Sequence, residues 1–253
     1  MIVSDNDGSL LRISSIKLSY CLIISIPDGI GNLSSLTVLN VSSNQLTHLP
    51  DSIGNLASLT ELHVNINRLS HLPDSIGKLG CLTHLNAGVN NLSHLPDSIC
   101  CLSSLTHFDV HLNKLSHLPE SVCNLTSLDV LFAHGNLLTH LPDSIGRLAA
   151  LTELHVNDNK LTCLPDSIGN LSSLTDLRVD SNHLTCLPDS IQDLASLSEL
   201  NVSVIRLTQF PVSIGNLTSL TRLYAVNNPI TSTQEGKDEL FGRFGRSVLS
   251  IYV

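Results

Sequence analysis

Tryptophan is absent from this 253-residue chain, aromatic residues make up only 3% of it, and methionine occurs once. A core keyed on large aromatic side chains is therefore excluded, and the 42% hydrophobic content has to pack through aliphatic residues. Positive charge is scarce: 13 Lys and Arg against 22 Asp and Glu give a net charge of -9 and a pI near 5.6. That balance excludes a general nucleic-acid or anionic-membrane binder, which needs clustered Lys and Arg. Long apolar runs are also missing. The stretch YCLIISI is too short to span a bilayer and too late for a leader, and the opening MIVSDNDGSLL has no charged region ahead of an apolar one. Neither a membrane span nor a signal peptide is expected. No P-loop, kinase motif set, G-x-S-x-G, H-E-x-x-H or paired C-x-x-C occurs, so the chain is expected not to be an enzyme and to carry no cofactor and no metal. Seven cysteines form an odd set without a disulfide-cap pattern at either end, which points to free thiols in a reducing compartment.

What the chain does have is a period. Pro27, Pro50, Pro73, Pro96, Pro119, Pro142, Pro165, Pro188 and Pro211 recur at an unbroken spacing of 23 residues. Between them runs the unit L-x-x-L-x-V-x-x-N-x-L-T/S-x-L-P-D-S-I-G-x-L-x-S, with asparagine at 44, 67, 90, 113, 136, 159, 182 and 228. From about Ile13 to Ile230 this unit resembles the leucine-rich repeat. The resemblance implies an α/β solenoid: a leucine-rich repeat horseshoe with a concave parallel β-sheet and short convex helices or 3₁₀ turns. The 23-residue length and the LPDSIGNL segment are similar to intracellular repeats of Ras-group scaffolds and of effectors that bacteria inject into host cells. That implies a cytoplasmic protein, or one secreted by bacteria into a host cytosol. The longer unit and G-x-I-P segment usual in secreted plant receptors are missing.

The unit Leu59–Pro73 shows the physics. Leu59, Leu62, Val64, Leu69 and Leu72 are predicted to point inward, while Glu61, His63 and Asn65 alternate outward along a strand. Asn67 leaves the strand where the chain turns inward, and its buried amide must find partners on adjacent rungs. Pro73 then fixes the backbone, Asp74 or Ser75 is expected to cap a short helical turn, and Ile76 and Leu79 return to the core. The acidic residue after each proline recurs from Asp28 to Asp189, so much of the negative charge is assigned to capping. Sequons such as Asn32-Leu33-Ser34 are by-products of the repeat.

Terminal rungs expose core and need shielding. Residues 1–26 read as an N-terminal cap with a degenerate first repeat, 27–230 as the 23-residue repeats, and 231–253 as a C-terminal cap. KDELFGRF is expected to form a short helix there, and SVLSIYV has strand-like composition. Ile205 stands in the asparagine column and Phe210 replaces the usual leucine before proline, which predicts a local change in ladder bonding or curvature.

Histidine is over-used, with twelve copies. His48, His71, His94, His117 and His140 share one slot, two residues before proline, continued by Cys163 and Cys186. A column spreads ligands along a line instead of converging them, so stacking is expected there, with acid loosening the array through imidazole repulsion. A second group lies on the concave strands. His84 with His107, or His111 with His134, assisted by Asp109, form the alternative zinc reading.

Repeat-to-repeat variation concentrates at the outward strand positions. The candidate protein-binding residues are Glu61, His63, His84, Asn86, His107, Asp109, His111, Phe132, His134, Glu153, His155, Asp158, Asp176, Arg178, Asp180, Arg222 and Tyr224; Glu199 and Asn201 lie on the same face. The expected function is a non-catalytic module, monomeric when free, that grips a folded partner protein across this face. In one version it inhibits an enzyme by covering its active site, as the resemblance to ribonuclease inhibitors implies; in the other it is an effector or scaffold docked on a host signalling protein.

Overall fold

The computed structural model describes residues 13–244 and 250–253. Each unit lays down one three-residue strand: β1 (Ser15–Lys17), β2 (Val38–Asn40), β3 (Glu61–His63), β4 (His84–Asn86), β5 (His107–Asp109), β6 (Val130–Phe132), β7 (Glu153–His155), β8 (Asp176–Arg178), β9 (Glu199–Asn201), β10 (Arg222–Tyr224) and β11 (Ser250–Tyr252). All eleven pair in parallel and in chain order to form one open sheet. The middle residue of each strand points into the core, so Leu62, Leu85, Phe108, Leu131, Leu154 and Leu177 form one inward file, each almost fully buried.

The strands are shorter than the alternation over Leu59–Asn65 predicts. Rung-to-rung hydrogen bonding nevertheless continues past them: Val64 N–H donates to the Asn86 carbonyl at 2.8 Å and Ile66 N–H to that of Gly88 at 2.9 Å. The chain leaves the sheet at the residue before each ladder asparagine, which adopts a left-handed backbone: φ is +55° at Ile66, +53° at Val89 and +52° at Asp158. Gly135, at φ +65°, and Asn227, at φ +57°, are residue types suited to that conformation; isoleucine and valine adopt it as well, and Val204 does so at φ +53° ahead of Ile205, so the bend belongs to the rung and does not require the amide.

That asparagine ties two rungs together. Asn113 Nδ2 donates to the carbonyls of Ala87 (3.1 Å) on the preceding rung and Val110 (3.0 Å) on its own, and its Oδ1 accepts from Leu92 N–H at 2.9 Å. Asn67, Asn90, Asn136 and Asn159 repeat the pattern. Each side chain thus satisfies buried backbone groups on two rungs at once. At position 205 no amide is present. The isoleucine there is 4% exposed, and Leu184 N–H lacks the acceptor that Leu161 finds in Asn182 and Leu207 in Asn228.

On the convex side a 3₁₀ turn succeeds each proline, from Asp28–Asn32 to Val212–Asn216. The expected capping does not occur. Proline itself occupies the N-cap in most turns, and no side-chain cap bond forms. The aspartates are therefore exposed charges in the first turn, and the Oγ atoms of Ser52, Ser75, Ser98, Ser121, Ser167 and Ser190 are buried without a hydrogen-bond partner. The reason is steric: proline sets the turn one residue early, so Asp and Ser already lie inside it, and the serine packs against the glycine of the preceding turn. Ser75 shows the fit, since a Cβ on Gly54 would lie 2.4 Å from its carbonyl oxygen.

The KDELFGRF segment lies within the one α-helix among the described residues, α1 (Gln234–Phe244), which seats Leu240 and Phe244 on the end of the core. At the other end Ile13, Ile16, Ile23 and Leu33 are only partly buried, around an apolar cavity of about 410 Å³. The segment expected to cover it, before Ile13, lies outside the described residues.

Two substitutions test these assignments by chemical denaturation. Asn113→Ala strands buried donors and acceptors on two rungs and is expected to cost about 3 kcal/mol. Ser75→Ala removes a hydroxyl without a partner and should change stability by less than about 0.5 kcal/mol, where loss of a true N-cap costs about 1 kcal/mol.

Candidate functional site

The parallel register sorts the outward residues into rows that cross the rungs. One row runs Glu61, His84, His107, Val130, Glu153, Asp176, Glu199, Arg222. Beside it runs His63, Asn86, Asp109, Phe132, His155, Arg178, Asn201, Tyr224. His111, His134 and Asp180 lie two residues beyond these in their own units and continue the face past the strand ends. The predicted residues thus share one face. Asp158 stands at its edge, exposed at the left-handed bend before Asn159, where its carboxylate accepts from Asn157 Nδ2 at 2.6 Å and its N–H donates to the Asp180 carbonyl at 3.1 Å.

Rung spacing turns neighbouring rings into stacks. His84 and His107 stack with centroids 4.3 Å apart, His111 and His134 at 4.8 Å, Phe132 and His155 at 4.5 Å, and Tyr224 and Tyr252 at 4.6 Å. The predicted zinc pairs are therefore face-to-face stacks, whose in-plane ring nitrogens run side by side and do not converge on one ion. The stacking predicted for the His48 column is also relocated. Those five imidazoles are exposed, and each sets Nδ1 against the hydroxyl of the preceding residue, from Thr47–His48 at 3.2 Å to Thr139–His140 at 3.0 Å. The hydroxyl contact does not itself prevent stacking, since His84 and His107 make the same contact to Thr83 and Thr106 and still stack; the difference is that the concave pair is half-buried and the His48 column is exposed.

Toward the C-terminal half the face becomes an ion-pair network. His155 Nε2 lies 3.1 Å from Asp176 and 4.0 Å from Glu153; Arg178 bonds Asp176 at 3.0 Å and reaches Glu199 at 3.6 Å; Arg222 meets Glu199 at 2.9 Å. Glu199 is the bridging member, omitted from the candidate set although it shares the row of Glu153 and Asp176. Its position was visible in the period, but its two arginine partners depend on side-chain conformation. Glu153, His155 and Asp176 are the one group of three among the described residues placed to hold a metal ion, within 4.8 Å of one another. Arg178 already occupies the Asp176 carboxylate, so a cation would have to displace a guanidinium.

Burial, and then the neighbouring His107, push His84 below its ordinary value of 6.5; burial, and then His111, do the same to His134, whose Nδ1 is buried without a hydrogen-bond partner. Burial also pushes Asp176 up, but hydrogen bonds from His155 and Arg178 outweigh it and hold the carboxyl below its ordinary range. Asp180 is raised, chiefly by burial, and its Oδ1 has no hydrogen-bond partner. The face therefore disfavours protonation of His84 and His134 and, toward the C-terminal half, holds the Asp176–Arg178–Glu199–Arg222 network.

An open parallel-strand solenoid with an asparagine ladder, and a variable face on its sheet, defines a repeat protein of the binding-scaffold class. The particular family emerges from comparison: the chain belongs to the leucine-rich repeat family, whose "leucine-rich repeat region" model matches residues 4–91 and 134–241. Among solved structures it is similar to the plant peptide hormone receptor RGFR1 in complex with RGF2 (30% identity, TM-score 0.73), covering 81% of this chain and 34% of that one. The Arabidopsis receptor kinase HAESA, in complex with the peptide hormone IDA and the co-receptor SERK1, shares 26% identity with a TM-score of 0.74, over 90% of this chain and 40% of its own. The functional domain of InlJ from Listeria monocytogenes shares 26% identity with a TM-score of 0.69, over 85% and 49%. The chain spans between a third and a half of the length of these three. No curated protein sequence matches it. Among the described residues no helix is long and apolar enough to cross a membrane.

The lowered pKa values of His84 and His134 fix the sign of a pH effect. Below about pH 6.5 the unfolded chain binds protons that the folded imidazoles resist, so stability is full above 6.5 and falls as pH drops through the window beneath it. The melting temperature is expected to be lower at pH 5.5 than at pH 7.5, and the double variant His84→Gln, His134→Gln should flatten that dependence. An unchanged slope in the variant would return the effect to other groups.

Proposed function

We propose that the chain is a non-catalytic binding module that recognises a folded partner protein through the face formed by β3–β10. The observation that carries this reading is the confinement of variation. Core files, asparagine ladder and turns repeat almost without change, whereas the outward rows pass from imidazole and phenyl rings to an Asp–Arg–Glu network. Seven rung spacings from β3 to β10 give a surface about 34 Å long within a sheet of about 50 Å, a length that suits the roughly 800 Å² that each partner contributes to a standard interface. Leucine-rich repeat proteins similar to this one carry protein or peptide ligands in their solved complexes, as RGFR1 does with RGF2 and HAESA with IDA and SERK1. Family and fold are those of binding scaffolds that typically lack catalysis.

Two forms of the function share this surface: occlusion of an enzyme's active site, and docking of an effector or scaffold on a signalling protein. The polar rows suit a polar partner surface in either case. Phe132, half-buried and stacked on His155, together with His107 and Asp109, forms the anchor set, because aromatic groups at the centre of an interface dominate binding energy.

The test is affinity capture with the intact protein beside the variant His107→Ala, Asp109→Ala, Phe132→Ala, the variant first shown to melt as a folded protein. A genuine partner should lose about five- to thirtyfold in affinity, from about 1–2 kcal/mol of lost anchoring. Its activity in the presence of the intact protein then separates inhibition from docking. Equal capture by both proteins would remove the face from consideration.

A further inference from the structure

The two ring stacks in the middle of the face are each interrupted at the same place. His107 uses one ring face against His84, and on its other side the register partner is Val130, a short side chain 9% exposed that cannot continue the stack. Phe132 uses one ring face against His155, and on its other side the register partner is Asp109. The gap between the stacks is a cavity of about 190 Å³ bounded by His63, His107, Asp109 and Phe132 over a floor that includes Leu85 and Phe108.

Among the described residues the one carboxylate lining this gap, that of Asp109, has spare capacity. Asp109 Oδ1 accepts from His111 Nδ1 at 2.6 Å and from His111 N–H at 3.0 Å, while its Oδ2 accepts no hydrogen bond among the described residues. The surroundings are negative: Glu61, Asp109, Glu153, Asp176, Asp180 and Glu199 face two arginines, Arg178 and Arg222, both of which are engaged by Asp176 or Glu199.

We propose that this gap takes the guanidinium of an arginine side chain carried by the bound partner, an inference that rests on the face being the binding surface. A planar cation can lie on the free face of Phe132 or His107 at ring-stacking distance, as the next member of the interrupted stack. Its N–H groups then reach the open Oδ2 of Asp109 as charge-assisted donors. A phenyl ring would fill the same shape but leave the carboxylate unanswered, and a lysine ammonium lacks the plane.

The probes are the amides of N-acetyl-arginine, N-acetyl-citrulline and N-acetyl-phenylalanine, titrated into isotope-labelled full chain while backbone NMR shifts are monitored. The arginine amide is expected to move the signals of β4, β5 and β6, with an affinity about tenfold above that of the uncharged, isosteric citrulline amide. Asp109→Asn should abolish that preference. Phe132→Leu should weaken the arginine amide while leaving its preference over citrulline, and both variants are first shown to melt like the parent. Equal affinity for arginine and citrulline, tighter binding of phenylalanine, no shift with arginine, or an arginine preference surviving in Asp109→Asn would each overturn the proposal. A partner captured through the face, together with any of those outcomes, would retain the binding surface and eliminate only the arginine pocket.

Discussion

The asparagine ladder is the interaction on which the rest of this structure depends. A solenoid turns its chain inward once per unit, and each turn strands buried N–H and C=O groups that water cannot reach. Asn113 and its equivalents answer both kinds of group on two rungs with one amide, so the turn is closed and tied to its neighbour in the same act. Beside the ladder the chain takes a left-handed bend at Ile66 and Val89, a conformation that branched residues avoid when nothing constrains them, and rung-to-rung backbone bonds such as Ile66 N–H to the Gly88 carbonyl accompany it. Stability in such an array resides between neighbours, which is why one missing amide at Ile205 is a local fault and leaves the strands on either side in register.

That constraint also makes the face. Equal units in parallel register place equivalent side chains one rung apart, close to the distance at which planar rings stack. His84 on His107 and Phe132 on His155 are the result, at 4.3 and 4.5 Å. Where a row changes from ring to short side chain, the stack stops and a gap opens, as it does at Val130 and Asp109. Where it changes to charge, the same spacing links Asp176, Arg178, Glu199 and Arg222 into a network. Surface chemistry is thus written one residue per rung on a fixed grid, and binding capacity depends on which residues fall side by side.

Much of this was legible in the sequence because a 23-residue period fixes phase. The inward leucines, the parallel order of strands, the buried asparagines and the outward rows all come from counting. Capping did not: the sequence offered Asp74 and Ser75 as cap residues, but Pro73 takes the cap position, and the serine hydroxyl ends buried. Histidine stacking was expected on the exposed column at His48 and occurs on the concave face, where the rings are half-buried and ring contact removes apolar surface from water.

By itself, then, the sequence determined the repeat, the family resemblance and the residues that face outward, since each depends only on spacing along the chain. The tertiary structure decided which outward residues meet. It paired Glu199 with two arginines, set Asp158 at the bend and opened the gap beside Phe132. Those outcomes depend on side-chain conformation and on contacts between residues 21 to 23 positions apart, and the period supplies the neighbours without choosing among their arrangements.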